Sequence, residues 1–238
     1  MADRRVRGFG HIDTWVFDLD NTLYPASCRL FDQIDVRMGE FVSRLLSVDL
    51  AEARRRQKQL FHKHGTTLRG LMVEHGVNPD GFLDYVHDID HTPVPCNPLL
   101  DEALHALPGR KLVFTNGTVA HAGKVLARLG VTHHFGDIFD IVHSDFIPKP
   151  EMEPYRRFIG QTGIRPETSA MFEDIARNLE APHALGMTTV LVVAPENHDA
   201  AHLNRNTGGI DQPHVHHVTD DLTAFLAGLV RTSHHART

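Results

Sequence analysis

A chain of 238 residues is long enough to bury a full core, as one large domain or as a domain carrying an insertion. Its 41% hydrophobic and 23% charged residues are ordinary for a globular protein, and no apolar run approaches membrane-spanning length. A net charge of −6, with a single basic run at 54–58, argues against nucleic-acid polymers and acidic membranes as partners.

The elements read in chain order as follows. An apolar run from about Trp15 ends in Phe17-Asp18-Leu19-Asp20 and predicts a buried strand. From about Ala26 to Pro95 the texture is helical. Phe31, Ile34, Met38, Phe41 and Leu45 repeat at three- and four-residue steps and form one apolar face. Asp49 caps a second helix through Leu60 and Phe61, and its run Arg54-Arg55-Arg56-Gln57-Lys58 reads as a solvated face. His75-Gly76 breaks the next segment. Asn78-Pro79 opens another helix with Phe82, Tyr85 and Val86. After Pro98 strands alternate with helices: strands over 111–115, 138–142, 170–172 and 189–193, helices over 118–129, 154–162 and 221–230, and a long loop over 194–213. This alternation predicts an α/β fold, a parallel sheet covered on both faces, with residues 26–95 inserted after its first strand.

Each main strand ends in a group suited to binding or reaction, and parallel strands bring those ends to one edge of the sheet. Asp18 and Asp20, two apart, can point the same way, and two close carboxylates repel unless a cation or a shared proton relieves them. Thr115-Asn116-Gly117 precedes a helix, where a hydroxyl and free amides can hold phosphate oxygens. Lys149 sits between Pro148 and Pro150 with a restricted backbone. Glu173-Asp174, with Asn178 one turn later, can complete a divalent-metal site. Taken singly, each has a plain alternative as a capping turn or surface residue. Four such ends in sequence order argue for one site. The histidine pairs His133-His134 and His216-His217 lack companion Cys or HExxH spacing and read as surface or turn residues, while His234-His235 falls in a polar tail. Cys28 and Cys96 show no metal spacing, and the polar start Met1-Ala2-Asp3-Arg4-Arg5 has no signal-peptide apolar region, so the expected setting is cytoplasmic.

The string Asp18-Leu19-Asp20-Asn21-Thr22, then Thr115, Lys149 and Glu173-Asp174 resemble, in order and spacing, the four motifs of the haloacid dehalogenase-like superfamily of phosphohydrolases. The resemblance runs from about Thr14 to Val193. It implies a Rossmann-like doubly wound sheet, formed by residues 1–25 and 96–238, with residues 26–95 as a helical C1-type cap. A narrower resemblance is to pyrimidine 5′-nucleotidases, on Phe17 through Tyr24-Pro25 and on His64-Gly65-Thr66-Thr67-Leu68-Arg69-Gly70-Leu71, followed by Tyr85-Val86-His87-Asp88. It implies that Tyr24, Thr67 and Arg69 face the substrate. One departure is Glu173-Asp174-Ile175, where that subfamily usually has Asp-Asp-Ser.

The resemblance implies hydrolysis of a small phosphate monoester, UMP or CMP, through an aspartyl-phosphate. Asp18 is then the nucleophile and Asp20 the acid/base, needing a raised pKa. Thr115, Asn116 and Lys149 hold the phosphoryl group. Asp18, Asp174, Glu173 and Asp20 (the last through its main-chain carbonyl) form the Mg²⁺ site. A dehalogenase has no use for Asp20 or for the metal acids. A phosphatase for sugar phosphates or phosphoglycolate is the rival, and a non-catalytic binding protein of the same fold is the alternative of a different class. The sequence leaves the oligomeric state open.

Overall fold

The computed structural model describes residues 8–194 and 211–235, with side chains given to residue 230. Within them lies a six-stranded, all-parallel sheet of order β3-β2-β1-β4-β5-β6. The strands are β1 (Thr14–Phe17), β2 (Arg110–Phe114), β3 (Phe135–Phe139), β4 (Ser169–Glu173), β5 (Thr188–Val192) and β6 (His217–Thr219). The chain leaves β1 for β2 and β3 on one side, then returns to β4 on the other. The order reverses between β1 and β4, where open α/β sheets bind ligands at the carboxyl ends of their strands.

The two faces follow from the period-two alternation of strand side chains. Trp15, Phe17, Val113, Ala170 and Phe172 enter one apolar layer, and Val16, Leu112, Phe114 and Met171 enter the other. The first layer is closed by α5 (Pro98–Ala106), α6 (Val119–Leu129) and α9 (Leu222–His235), and the second by α7 (Met152–Thr162) and α8 (Glu180–Leu185). Trp15 buries its ring and donates its indole N–H to the Pro108 carbonyl at 2.7 Å. That bond satisfies the polar atom of a side chain whose burial contributes roughly 1.5–3 kcal/mol. At the mouth of β2, Gly109 has φ +84°, and a Cβ there would lie 1.9 Å from the Asp13 carbonyl oxygen. Only glycine fits this approach of β2 to β1.

Between β1 and β2 stand α1 (Leu30–Leu46), α2 (Leu50–His64), α3 (Thr67–His75) and α4 (Pro79–Val86). They share an apolar core of Ile34, Val42, Ala53, Leu60, Leu68, Leu71, Phe82, Leu83 and Val86. The caps follow the sequence. Asp49 accepts from the Glu52 N–H, Thr66 from that of Arg69, and Asn78 from that of Asp80 with Pro79 in the first turn.

Several boundaries differ from the sequence reading. The third strand covers 135–139 rather than 138–142. Asp140 ends it: Oδ1 accepts from the Val142 and His143 amides and Oδ2 from that of Val119. Ile141 thereby leaves the sheet and joins the apolar core of α1–α4. Helix α5 was not anticipated, although Asn97-Pro98 opens it as Asn78-Pro79 opens α4. Neither was β6, three residues at the sheet edge. Of the loop expected over 194–213, residues 195–210 lie outside the described residues. His134 is not a surface histidine: it ends a short 3-10 helix (Thr132–His134) with only 7% of its side chain exposed. Among the described residues no helix is long and apolar enough to cross a membrane.

Candidate active site

The carboxyl ends of β1, β2 and β4 converge on Lys149. Its ammonium is fully enclosed and donates to Asp18 Oδ1 at 2.6 Å, Glu173 Oε1 at 2.8 Å and the Phe114 carbonyl at 3.0 Å. The lysine backbone is fixed as well, since its N–H donates to Asn116 Oδ1 at 2.9 Å and its carbonyl accepts from Asn116 Nδ2 at 3.4 Å. Asn116 thus ties the loop before α7 to the end of β2. Thr115 is buried, and its hydroxyl accepts the Gly117 N–H at 2.9 Å. Thr118 caps α6 by accepting the His121 N–H.

Glu173 faces Lys149 with both oxygens engaged. Oε1 also accepts from Asn178 Nδ2 at 2.6 Å, and Oε2 accepts the Ile175 N–H at 2.9 Å. The Asn178 carbonyl is in turn held by the Tyr155 hydroxyl at 2.6 Å. Asp18, Glu173 and Asp174 each place a carboxylate oxygen within 4.8 Å of the others. Burial pushes Asp18 up to about 7, helped by the charge of Glu173 and opposed by Lys149. Asp174 is pushed well above the usual carboxylate range by burial and by its two acidic neighbours. Burial also penalises Glu173, but Lys149 and three hydrogen bonds outweigh it and hold that group below its usual value. Lys149, disfavoured by burial, is held above its usual value by Asp18 and Glu173. Asp18 and Asp174 therefore tend to keep their protons beside the Glu173–Lys149 pair, protons that a divalent cation would displace, and the hard oxygen donors of the cluster fit an ion such as Mg²⁺.

Asp20 stands differently from the sequence expectation of a raised pKa. Burial raises it, but the charge and hydrogen bond of His121, with the hydrogen bond from Tyr24, outweigh burial and bring it to about 2. Its Oδ1 lies 2.8 Å from His121 Nε2 and accepts from the Tyr24 hydroxyl at 2.6 Å. Behind it, His91 Nε2 lies 3.1 Å from His121 Nδ1, and His87 stacks on His121 with ring centroids 4.7 Å apart. Burial, then the charge of His121, pushes His87 down to about 4. The sequence carried His87 only within the string Tyr85-Val86-His87-Asp88, and His91 and His121 were not anticipated. A signal was present, because His121 shares the buried stripe of α6 with Ala122, Val125, Leu126 and Leu129.

The structure brings Asp18, Asp20, Thr115, Asn116, Lys149, Glu173 and Asp174 to one edge. Tyr24 is buried and turned to Asp20. Thr67 is buried at the start of α3, and Arg69 is half-buried in its first turn. The loop before α3 reaches the core domain at Gly65, where an added Cβ would lie 3.3 Å from Pro148 Cγ, next to Lys149.

A family profile described as haloacid dehalogenase-like hydrolase matches residues 12–186. The chain belongs to the haloacid dehalogenase-like hydrolases. It is 27% identical over 194 residues to Phosphate metabolism protein 8 of Saccharomyces cerevisiae, covering 74% of this chain and 60% of that protein's length. Among solved structures, a phosphatase of the same superfamily from Thermococcus onnurineus aligns with a TM-score of 0.59 at 17% identity, covering 92% of this chain and 98% of that one. The L-2-haloacid dehalogenase of Xanthobacter autotrophicus, solved with chloropropionic acid covalently bound, aligns with a TM-score of 0.56 at 14% identity and the same coverages. The fold is thus shared by enzymes of different chemistry, and only the site residues can distinguish between them.

Proposed function

We propose that this hydrolase is a Mg²⁺-dependent phosphatase of pyrimidine nucleoside 5′-monophosphates, acting through an aspartyl-phosphate on Asp18. The observation that carries the reading is the group of buried Asp18, Lys149 and Glu173 with half-buried Asp174 and a second acid, Asp20, two residues after the first. A haloacid dehalogenase would use Asp18 but neither Asp20 nor an acidic metal cluster.

Asp18 and Asp174, with the Asp20 carbonyl, would hold Mg²⁺, and Glu173 completes the acidic set while aiming Lys149. The bound ion supplies charge neutralisation between a phosphate dianion and a carboxylate. Thr22 donates to Asp18 Oδ2 at 3.2 Å and Lys149 to Oδ1, which fixes the attacking carboxylate. Asp18 attacks phosphorus, and the P–O bond to the nucleoside breaks. The Thr115 hydroxyl and the Asn116 main-chain amide bind the phosphoryl oxygens, and Lys149, its three donors held by Asp18, Glu173 and the Phe114 carbonyl, supplies positive charge beside them. Asp20 gives its proton to the leaving 5′-oxygen, then takes one from the water that hydrolyses the phosphoenzyme. A phosphate dianion beside it adds like charge and drives its pKa upward from about 2, as this role requires. His121 and Tyr24 aim its carboxylate. Residues 26–95 act as the cap, with Thr67 and Arg69 carried over the site by the Gly65 loop.

Phosphate release from UMP, CMP, dTMP, AMP, GMP, phosphoglycolate and sugar phosphates tests the reading. Release favouring UMP and CMP supports it. A preference for phosphoglycolate or a sugar phosphate would keep the chemistry and discard the pyrimidine assignment.

A further inference from the structure

At the opposite end of the sheet from the acidic cluster, Asp101 of α5 faces the 3-10 helix that precedes β3. His134 Nε2 lies 2.7 Å and His133 Nε2 3.2 Å from the same oxygen, Asp101 Oδ1. The three donor atoms lie within 4.8 Å of one another, and the two rings are 4.0 Å apart. A cavity of about 310 Å³ opens beside them, lined by His105, Lys111, His133 and His134 among others. His105 stands four residues after Asp101, on the same face of α5.

Two imidazole nitrogens and a carboxylate oxygen gathered this closely make a His₂Asp donor set, in which an ion would take the place of the hydrogen bond between His134 and Asp101. Four-coordinate zinc, with bonds of about 2.0–2.1 Å, sets its ligand atoms roughly 3.3 Å apart. The His133 separation already matches, and the His134 separation needs to open by about half an ångström. Imidazole with a single carboxylate suits Zn²⁺ and its neighbours in the transition series rather than Mg²⁺. The cations in the cavity wall are turned to other partners: Lys111 donates to the Leu107 carbonyl, and Arg110 to the Thr162 carbonyl. We propose that Asp101, His133 and His134 form a second metal site for Zn²⁺ or a similar transition ion, with the fourth position open to water or His105. Such an ion would staple α5 to the entry of β3. It lies beyond the start of β2, whereas Thr115 follows the end of that strand, so it takes no part in phosphate chemistry.

The test is titration calorimetry with ZnCl₂ on protein stripped by chelator and returned to excess Mg²⁺, which occupies the carboxylate cluster. The wild type is expected to take up a Zn²⁺ equivalent that Asp101→Asn and His133→Ala bind about tenfold more weakly or not at all. Zn²⁺ is also expected to raise the melting temperature of the wild type alone. His133 is 65% exposed on its side chain, so its removal does not threaten folding. Phosphate release by both variants with Mg²⁺ should equal that of the wild type. Equal Zn²⁺ uptake by wild type and variants, or none by the wild type, would overturn the site.

Discussion

Asp18 is placed so that folding costs it its charge. Its value is raised to about 7, against a model-peptide carboxylate near 4. A carboxyl raised on folding binds its proton more tightly in the native state. Its favourable contribution is therefore complete below about pH 4 and is lost as pH rises through about 7. Metal-free protein should lose stability over that window, as read by denaturant midpoints between pH 4 and 8. Asp18→Asn removes the charge, and this variant should melt higher than metal-free wild type at pH 8 while releasing no phosphate. An unchanged pH profile in the variant would contradict the assignment. Asp20 is held near 2, its burial outweighed by His121 and Tyr24. His121→Ala should lower kcat roughly 10- to 100-fold, short of the ~10²–10⁴ attributed to a full acid–base step, with KM nearly unchanged. A KM effect alone would make His121 a packing residue.

Among the elements, those that carry the site are the ones the sequence made legible. The runs ending at Phe17, Phe114 and Glu173 are short, apolar and stopped by polar residues, so strand ends and site residues coincide. The miss at β3 has a local cause: Ile138 to Val142 is apolar on both sides of Asp140, but the side chain of Asp140 captures three amides and turns the chain out of the sheet. His121 escaped because a histidine on an apolar stripe looks like packing until its partner, 101 residues earlier in the chain, is known. The raised pKa expected for Asp20 failed for the same reason. Helix α6 presents His121 through the Thr118 cap, and Thr118→Ala should cost about 1 kcal/mol of stability, measured by urea unfolding. Helix α3 tests the cap assignment. Arg69→Ala should raise KM for UMP severalfold while leaving turnover of a small aryl phosphate unchanged, and an equal loss on both substrates would remove Arg69 from base or sugar recognition.

At the scale of the whole molecule, the chain joins a sheet that fixes charges to a block of four helices, which we propose covers them. Among the described residues the block meets the site at Gly65 against Pro148 and through His87 and His91 against His121. An ion that displaces the protons held by Asp18 and Asp174 binds the folded state alone, so Mg²⁺ should raise the melting temperature of the wild type and do so much less in Asp18→Asn. The central claim is that Asp18 is a metal-assisted nucleophile toward phosphate esters. The most direct measurement is phosphate release from UMP and CMP by wild type and Asp18→Asn, each with Mg²⁺ and with EDTA. The wild type should release phosphate with Mg²⁺, with none released in EDTA or by the variant. Undiminished release by Asp18→Asn would contradict it.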